Sequence, residues 1–115
     1  MIKVVRLLRR APHLSLAEFR SWWLDSHIHM ITKLQKPYLK KYIANIHPED
    51  GHRPGKPAEE PQWDGCAEQW FETEADFTAV YGRSTPNPLR ADTLKHASRS
   101  QRLIVEEHGI AVNAQ

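Results

Sequence analysis

The sequence predicts a small α+β domain in which strands and helices follow one another as strand, helix, strand, strand, helix, strand. Three observations support this prediction: a length of 115 residues, which allows one modest core; four runs with the composition or alternation of strands; and two helix-start signals. This order is the split βαβ plan of ferredoxin-like domains, with a four-stranded antiparallel sheet. We expect residues 1–115 to form a single domain.

The first strand is predicted over residues 2–9, which are rich in β-branched and aliphatic side chains. A helix should begin after Ser15, because Ser15 and Glu18 have the spacing of a capping box. With successive residues about 100° apart, the apolar side chains of this helix form one stripe: Leu16, Phe19, Trp23, Met30 and Leu34. His27 lies at the edge of that stripe, so we expect it to face the core or a pocket. His29 should lie on the surface.

The second strand is predicted over residues 38–47, and residues 48–63 are rich in proline, glycine and charge. Connections of this length are often lids or binding loops. The third strand is predicted over residues 65–71. Strand alternation groups the side chains of these two strands into faces, with Tyr42, Ala44 and Ile46 on one face of the second strand, Cys66, Glu68 and Trp70 on one face of the third, and Ala67, Gln69 and Phe71 on its other face.

The last third of the chain supplies the second helix and the fourth strand. Thr73 has the position of an N-cap, so a short helix should run to about Tyr81. Residues 90–97 are expected to form one or two helical turns, and residues 102–107 the closing strand.

Composition excludes several classes of function. The net charge is +2 and the basic residues are interspersed with acids, which disfavours nucleic-acid binding. The single cysteine, Cys66, excludes an internal disulfide, and no window is long and apolar enough to span a bilayer. The first residues are strand-like and lack the features of a signal peptide, so we expect a cytoplasmic protein without a membrane partner.

Four segments of the sequence resemble the EthD family, in the order in which that family has them. They are Phe19-Arg20-Ser21-Trp22-Trp23-Leu24-Asp25-Ser26-His27, Tyr42 with Asn45-Ile46-His47, Asp64-Gly65-Cys66-Ala67-Glu68-Gln69-Trp70-Phe71, and Val105-Glu106-Glu107-His108. The resemblance implies a homodimeric α+β barrel, in which two sheets pack face to face and each subunit keeps a pocket between its sheet and its helices. Relatives include a cofactor-free methylmuconolactone isomerase and tailoring proteins of polyketide pathways.

The resemblance also implies site residues. His27 and Tyr42 match the helix histidine and the second-strand tyrosine of the isomerase pattern, whereas its Glu-Cys-Trp-Phe run is Glu68-Gln69-Trp70-Phe71 here. With an ordinary pKa of about 6.5, His27 can accept and return a proton near neutral pH. Tyr42 can donate a hydrogen bond to a carbonyl that becomes an enolate. We therefore predict His27 and Tyr42 as the catalytic pair.

Five further residues are predicted to bind substrate: Trp23, Asn45, His52, Glu68 and Trp70. His52 reaches the pocket if the long connection folds over it. Glu68 is a partner for His27 if it faces the helices, and is held by an arginine if it faces the dimer seam, because a buried carboxylate needs a partner. A cluster comprising His47, Glu49, Asp50 and His52 superficially suggests a metal, but it has no fixed ligand geometry, so we expect no metal and no cofactor.

We thus expect a cofactor-independent enzyme that isomerises, cyclises or decarboxylates a small aromatic, lactone or polyketide-like substrate. Two alternatives remain open. One is a monooxygenase of the same barrel fold, either cofactor-free or haem-dependent, a role that His27, Asn45 and Trp23 leave possible. The other is a non-catalytic protein that binds a hydrophobic metabolite. The residues do not identify the substrate, because pocket shape depends on the long connection and on side-chain orientation.

Overall fold

The computed structural model describes residues 1–48, 62–82 and 87–113. Four strands form one antiparallel sheet in the order β2-β3-β1-β4: β1 (Ile2–Arg10), β2 (Leu39–Ile46), β3 (Gly65–Phe71) and β4 (Ala97–Val105). The helices are α1 (Leu16–Trp22), α2 (Ile28–Leu34), α3 (Glu74–Tyr81) and α4 (Pro88–His96). This architecture confirms the predicted α+β, ferredoxin-like plan. None of the helices in these three ranges has the length and apolarity needed to cross a bilayer.

The first helix begins as the capping box predicts. The Glu18 amide donates to Ser15 Oγ at 3.1 Å, and the Ser15 amide donates to Glu18 Oε1 at 2.9 Å. A π-helical turn, Trp23–His27, joins α1 to α2, and its flanking residues are helical, so the three segments form one continuous helix.

This π-turn changes which side chains are buried. A π-turn bonds residue i to i+5, so it holds one residue more than an α-turn. Side chains four apart therefore stay on one face across it. The buried residues at this spacing are Phe19, Trp23, His27, Ile31 and Gln35, and Trp22 beside them is buried as well. Met30 and Leu34, which the regular α-helical stripe placed in the core, are only half-buried.

The helices cover one face of the sheet. Strand register pairs Tyr42 with Gln69 and Ala44 with Ala67 on this face, which confirms the predicted alternation in β2 and β3. Two apolar clusters fill the space between the layers. One is built around Leu8, Phe19, Trp22, Trp23, Ala67 and Ala97, and the other around Val4, Phe71 and Val80.

The last strand begins five residues earlier than predicted. Helix α4 ends at His96, and the next residue, Ala97, already has the extended backbone that starts β4. The first half of this edge strand consists mainly of polar residues, Ser98, Arg99, Ser100 and Gln101. The alternation of apolar and polar residues that marks a strand is therefore absent there. Helix α4 also begins two residues before its predicted start, capped by Asn87, whose side chain accepts a hydrogen bond from the Leu89 amide at 2.9 Å.

Candidate active site

A cavity of about 720 Å³ lies between the helix-covered face of the sheet and the helices. Arg6 and Tyr42 belong to its floor, which the sheet forms, and His27 and Thr93 belong to its wall, which the helices form. The size suits a small organic ligand of one or two rings, since ligand pockets commonly range from about 300 to 1,000 Å³.

The side chain of His27 is held in place at the cavity by a carboxylate of helix α4. It is 6% exposed, and its Nδ1 lies 2.8 Å from Asp92 Oδ2 on α4. Trp22 Nε1 donates to the same oxygen at 3.0 Å. An ionised carboxylate only accepts hydrogen bonds, so Nδ1 carries the imidazole proton in this pair. The second ring nitrogen, Nε2, then has a free lone pair.

The surroundings of Nε2 leave that lone pair available. The nearest polar partner in the described part of the chain is Thr93 Oγ1, at 3.4 Å. The Thr93 hydroxyl donates its proton to the Leu89 carbonyl oxygen at 2.9 Å, as a threonine inside a helix commonly does. Its proton is therefore directed away from His27, and a molecule in the cavity can offer its own proton to Nε2.

The pKa of His27 keeps the ring neutral. Burial lowers this pKa below its ordinary value, because the charged form loses hydration, and the hydrogen bond and charge of Asp92 oppose that shift. Burial is the larger effect. A neutral imidazole whose Nδ1 proton is fixed by a carboxylate can act as a general base through Nε2.

The ring is also fixed by stacking. Trp22 packs against His27 with ring centroids 4.6 Å apart, and against His96 with centroids 4.5 Å apart and planes inclined by 11°. His96 Nδ1 lies 2.7 Å from the Asp92 carbonyl oxygen. Trp22 therefore orients both His27, by stacking, and Asp92, by its hydrogen bond.

The lowered pKa of His27 predicts a pH dependence of stability. Because the folded protein binds the His27 proton more weakly than the unfolded chain, the stability present above about pH 6.5 should be lost as pH falls toward the folded-state pKa. The melting temperature of the wild type should fall more between about pH 7.5 and pH 5.5 than that of a His27→Gln variant. Equal decreases in the two proteins would contradict this prediction.

Tyr42 reaches the same cavity from β2. Its hydroxyl oxygen accepts a hydrogen bond from Trp23 Nε1 at 2.8 Å, so its own proton can be donated to a ligand. Burial raises the pKa of Tyr42 to about 12. The hydroxyl therefore stays protonated at neutral pH and can donate to a carbonyl oxygen. Trp23 itself is fully buried behind Tyr42, so it positions Tyr42 and does not line the cavity.

Three residues predicted to bind substrate lie on the opposite face of the sheet. Asn45, Glu68 and Trp70 alternate with the cavity-facing residues of β2 and β3, so the structure does not bring them to His27. Glu68 pairs with Lys3 at 2.8 Å, and no arginine of the described residues forms a salt bridge with it. The hydrogen bond from Lys3, followed by that from Asn45, lowers the Glu68 pKa.

Trp70 is also occupied on that face. Its Nε1 donates to Glu107 Oε1 at 2.9 Å, and the ammonium groups of Lys3 and Lys41 lie 4.6 and 4.8 Å from the centre of its ring. We therefore leave Asn45, Glu68 and Trp70 out of the candidate site.

Most of the predicted loop residues lie outside the described part of the chain. His52 lies outside the described residues, as do Glu49 and Asp50, so only His47 of the suggested metal cluster is described. His47 Nδ1 lies 2.9 Å from the Pro48 carbonyl oxygen. No group of three or more His, Cys, Asp or Glu side chains suited to a metal occurs within residues 1–48, 62–82 and 87–113.

The sequence did not reveal the residues that surround His27 in the candidate site. Asp92 and Thr93 follow His27 by 65 and 66 residues and meet it only through the packing of α4 on the π-turn. The one local signal was a carboxylate and a hydroxyl side by side in a helical segment, which is common on solvated helices. Arg6 was also missed, because a single basic residue in a strand of β-branched and aliphatic residues gives no signal of its own.

A four-stranded antiparallel sheet covered by helices on one face places the chain among the ferredoxin-like α+β proteins. The sequence model of the EthD domain matches residues 11–104, and the chain therefore belongs to the EthD family. No curated protein gives a significant sequence match.

Three solved structures illustrate the fold. An ethyl tert-butyl ether D (EthD) family protein from Bacillus halodurans, BH0200, is 19% identical with a TM-score of 0.67, over 94% of this chain and 99% of that one. A dimeric ferredoxin-like protein from Thermobifida fusca is 16% identical, with a TM-score of 0.59 over 90% and 88%. SnoaB, a cofactor-independent oxygenase from Streptomyces nogalater, is 11% identical, with a TM-score of 0.60 over 95% and 93%. At these identities the likeness shows a shared fold.

Proposed function

We propose that this protein is a cofactor-independent enzyme that moves a proton on a small aromatic, lactone or polyketide-like molecule. The observation that carries the proposal is the His27–Asp92 pair, which leaves the unprotonated Nε2 of a buried, neutral histidine facing a cavity. Membership of the EthD family is consistent with this proposal. The second group that the reaction needs is the Tyr42 hydroxyl, which lines the same cavity and can donate its proton in a hydrogen bond.

The proposed reaction begins when Nε2 of His27 takes a proton from an acidic carbon beside a carbonyl group. Negative charge then develops on the carbonyl oxygen, where the Tyr42 hydroxyl donates a hydrogen bond. Asp92 stabilises the imidazolium that forms. Return of the proton to another carbon completes an isomerisation. In a cyclisation, the carbanion attacks a second carbonyl carbon of the same molecule, and the oxygen of that carbonyl takes the proton from His27. In decarboxylation, the neutral His27 first takes the proton of the substrate's carboxyl group, and the imidazolium then returns that proton to the carbon that carbon dioxide has left.

Deuterium exchange tests the proposal without knowledge of the natural substrate. The protein is mixed in heavy water with α-angelica lactone and with 2-tetralone, and binding is first established from line broadening in NMR spectra. We expect deuterium to enter the carbon beside the carbonyl faster than in buffer alone. Exchange at the buffer rate for a compound that binds would contradict the proposal and favour a protein that only sequesters its ligand.

Replacing Asp92 by Asn should weaken the base. Asparagine loses the charge that raises the His27 pKa, and its amide no longer enforces protonation at Nδ1. We expect the exchange rate to fall roughly tenfold or more, with ligand affinity little changed. Asp76→Asn, in the first turn of α3, is the matched control and should keep the wild-type rate. An unchanged rate in Asp92→Asn would remove the pair from the mechanism.

Oxygenation is a second candidate, favoured by the fold shared with the cofactor-independent oxygenase SnoaB. The same deprotonated substrate can react with molecular oxygen if its carbanion is electron-rich. An oxygen electrode distinguishes the two reactions. Oxygen consumption that depends on both the compound and His27 would favour oxygenation, and exchange at an equal rate with and without oxygen would favour simple proton transfer.

We also propose that the chain forms a homodimer through the sheet face that the helices leave uncovered. On this face, the central strand β1 carries Val5 and Leu7 and the edge strand β2 carries Ile43, all half-buried, and the other edge strand, β4, carries Leu103, which is 41% exposed. The Thermobifida fusca relative of this fold is dimeric. A second sheet packed on this face would remove these apolar side chains from water.

A charge placed in that face should separate the subunits. Leu103→Asp should give a monomer in sedimentation velocity, because burying an unpaired carboxylate in an apolar interface is costly. The matched control is Ile104→Asp, which changes the adjacent residue on the other face of β4 and is 59% exposed. This variant should remain a dimer. A monomeric wild type would contradict the proposed assembly.

A further inference from the structure

The cavity floor contains an unusual pair of like charges. Arg6 on β1 lies directly opposite Arg102 on β4 in the strand register, and both line the cavity. The Cβ atoms of such cross-strand partners lie about 5 Å apart, and like charges in this position are destabilising. A third arginine, Arg90, lines the same cavity from α4.

Among the described residues that line the cavity, no acidic side chain balances these charges. The described lining residues include three arginines and neither aspartate nor glutamate. Asp92, the nearby carboxylate on α4, is already bound by Trp22 and His27. In the described parts of the chain, neither Arg6 nor Arg102 has a salt bridge to a carboxylate.

The two guanidinium groups are nevertheless held in place. Arg6 Nη1 donates to Ser100 Oγ at 2.8 Å. The Arg102 guanidinium lies over the Tyr81 ring, 4.7 Å from its centre. Tyr81 in turn donates its hydroxyl proton to Gln69, which donates to Gln35 at 2.8 Å. Each arginine therefore uses only part of its donor capacity on the protein, and its other N–H groups remain for a ligand.

We propose that the substrate of this cavity carries a carboxylate, and that Arg6 and Arg102 bind it. The planar fork of arginine matches the two oxygens of a carboxylate, and two arginines facing one anion relieve their mutual repulsion. This inference rests on the proposed function, because it treats the His27 cavity as the active site.

The arrangement also fixes the direction in which the substrate lies. Tyr42 is on β2 and Arg6 on β1, with β3 between them. Strands lie roughly 4.7 to 4.9 Å apart, so the two backbones are separated by about 10 Å. A carboxylate at the arginines and a carbonyl at Tyr42 therefore occupy opposite ends of a molecule of one or two rings, with the reacting carbon beside the carbonyl.

Binding of two isosteric compounds tests the inference. The probes are 2-naphthoate and 2-naphthamide, which share ring and size and differ in charge, and their affinities are measured by NMR titration. We expect the wild type to bind the carboxylate at least about tenfold more tightly than the amide. In Arg6→Gln and Arg102→Gln the two affinities should become similar. Added salt should narrow the difference in the wild type.

A matched control lies on the same strand as Arg102. The Arg99 side chain is directed to the other side, where it donates to the Gln62 carbonyl oxygen and lies over the Trp63 ring. Arg99→Gln should keep the wild-type preference for the carboxylate. Arg102 is exposed on an edge strand, so Arg102→Gln is expected to fold even if Arg6→Gln does not.

The inference is overturned if the wild type binds both compounds equally or binds neither, or if Arg102→Gln keeps the full preference. These results are distinct from failure of the proposed enzyme, since binding needs no turnover. A carboxylate preference that depends on the arginines, together with no exchange activity, would leave the anion site standing and overturn the catalytic proposal.

Discussion

Replacing His27 by Gln should reduce the rate of deuterium exchange by roughly a hundredfold or more, whereas ligand affinity should change by no more than about threefold. Glutamine approximates the size of the ring and can hydrogen-bond Asp92, but its side chain has no lone pair that accepts a proton near neutral pH. The loss is therefore expected in the chemical step and not in binding. NMR measures the exchange rate and the affinity on the same sample.

His29 supplies the control for that experiment. It lies two residues further along the same continuous helix and is exposed. His29→Gln should exchange at the wild-type rate. If His27→Gln retains most of the exchange activity while its melting temperature is unchanged, another group is the base and the proposed mechanism is wrong.

The second large effect is expected at Gly65, where β3 begins. A Cβ atom placed there would overlap the six-membered ring of Trp23 and would come within 2.7 Å of the Asn45 carbonyl oxygen. Trp23 is fully buried and cannot move aside without disturbing its hydrogen bond to Tyr42. Gly65→Ala should therefore lower the free energy of unfolding by about 1–3 kcal/mol.

Urea denaturation measures this change as a lower midpoint at an unaltered slope. Gly109 is the matched control, because a Cβ atom there meets nothing within 4 Å. Gly109→Ala should leave the midpoint where it is. Because the overlap displaces the ring that holds Tyr42, the exchange rate of Gly65→Ala should also fall. Stability of Gly65→Ala within about 0.5 kcal/mol of the wild type would contradict the packing described here.

The parts of the fold that sequence predicts well are those with local causes. The capping box of Ser15 and Glu18 and the N-cap at Thr73 depend on residues three positions apart, and both form as predicted. The bounds of β3 follow from its alternation and from the Gly65 start, and they are also confirmed. The start of β4 was missed because the polar residues of an edge strand do not alternate.

The candidate site was predictable only in part, for a reason that lies in the sheet. Alternation separates Glu68 and Trp70 from Gln69, but it does not say which set the helices cover. That choice depends on the packing of all the layers together. In the same way, the burial of His27 follows from the periodicity of the helix, whereas its bond to Asp92 depends on a contact between residues 65 positions apart.

The protonation of His27 is the most direct test of the central claim. Long-range nitrogen–proton NMR spectra of the ¹⁵N-labelled protein near neutral pH distinguish the two ring nitrogens and show which one carries hydrogen. The structure predicts a neutral ring with its proton on Nδ1, facing Asp92, and an unprotonated Nε2, facing the cavity. A ring protonated at Nε2, either as the other tautomer or as the imidazolium, has no free lone pair for a substrate and would contradict the account.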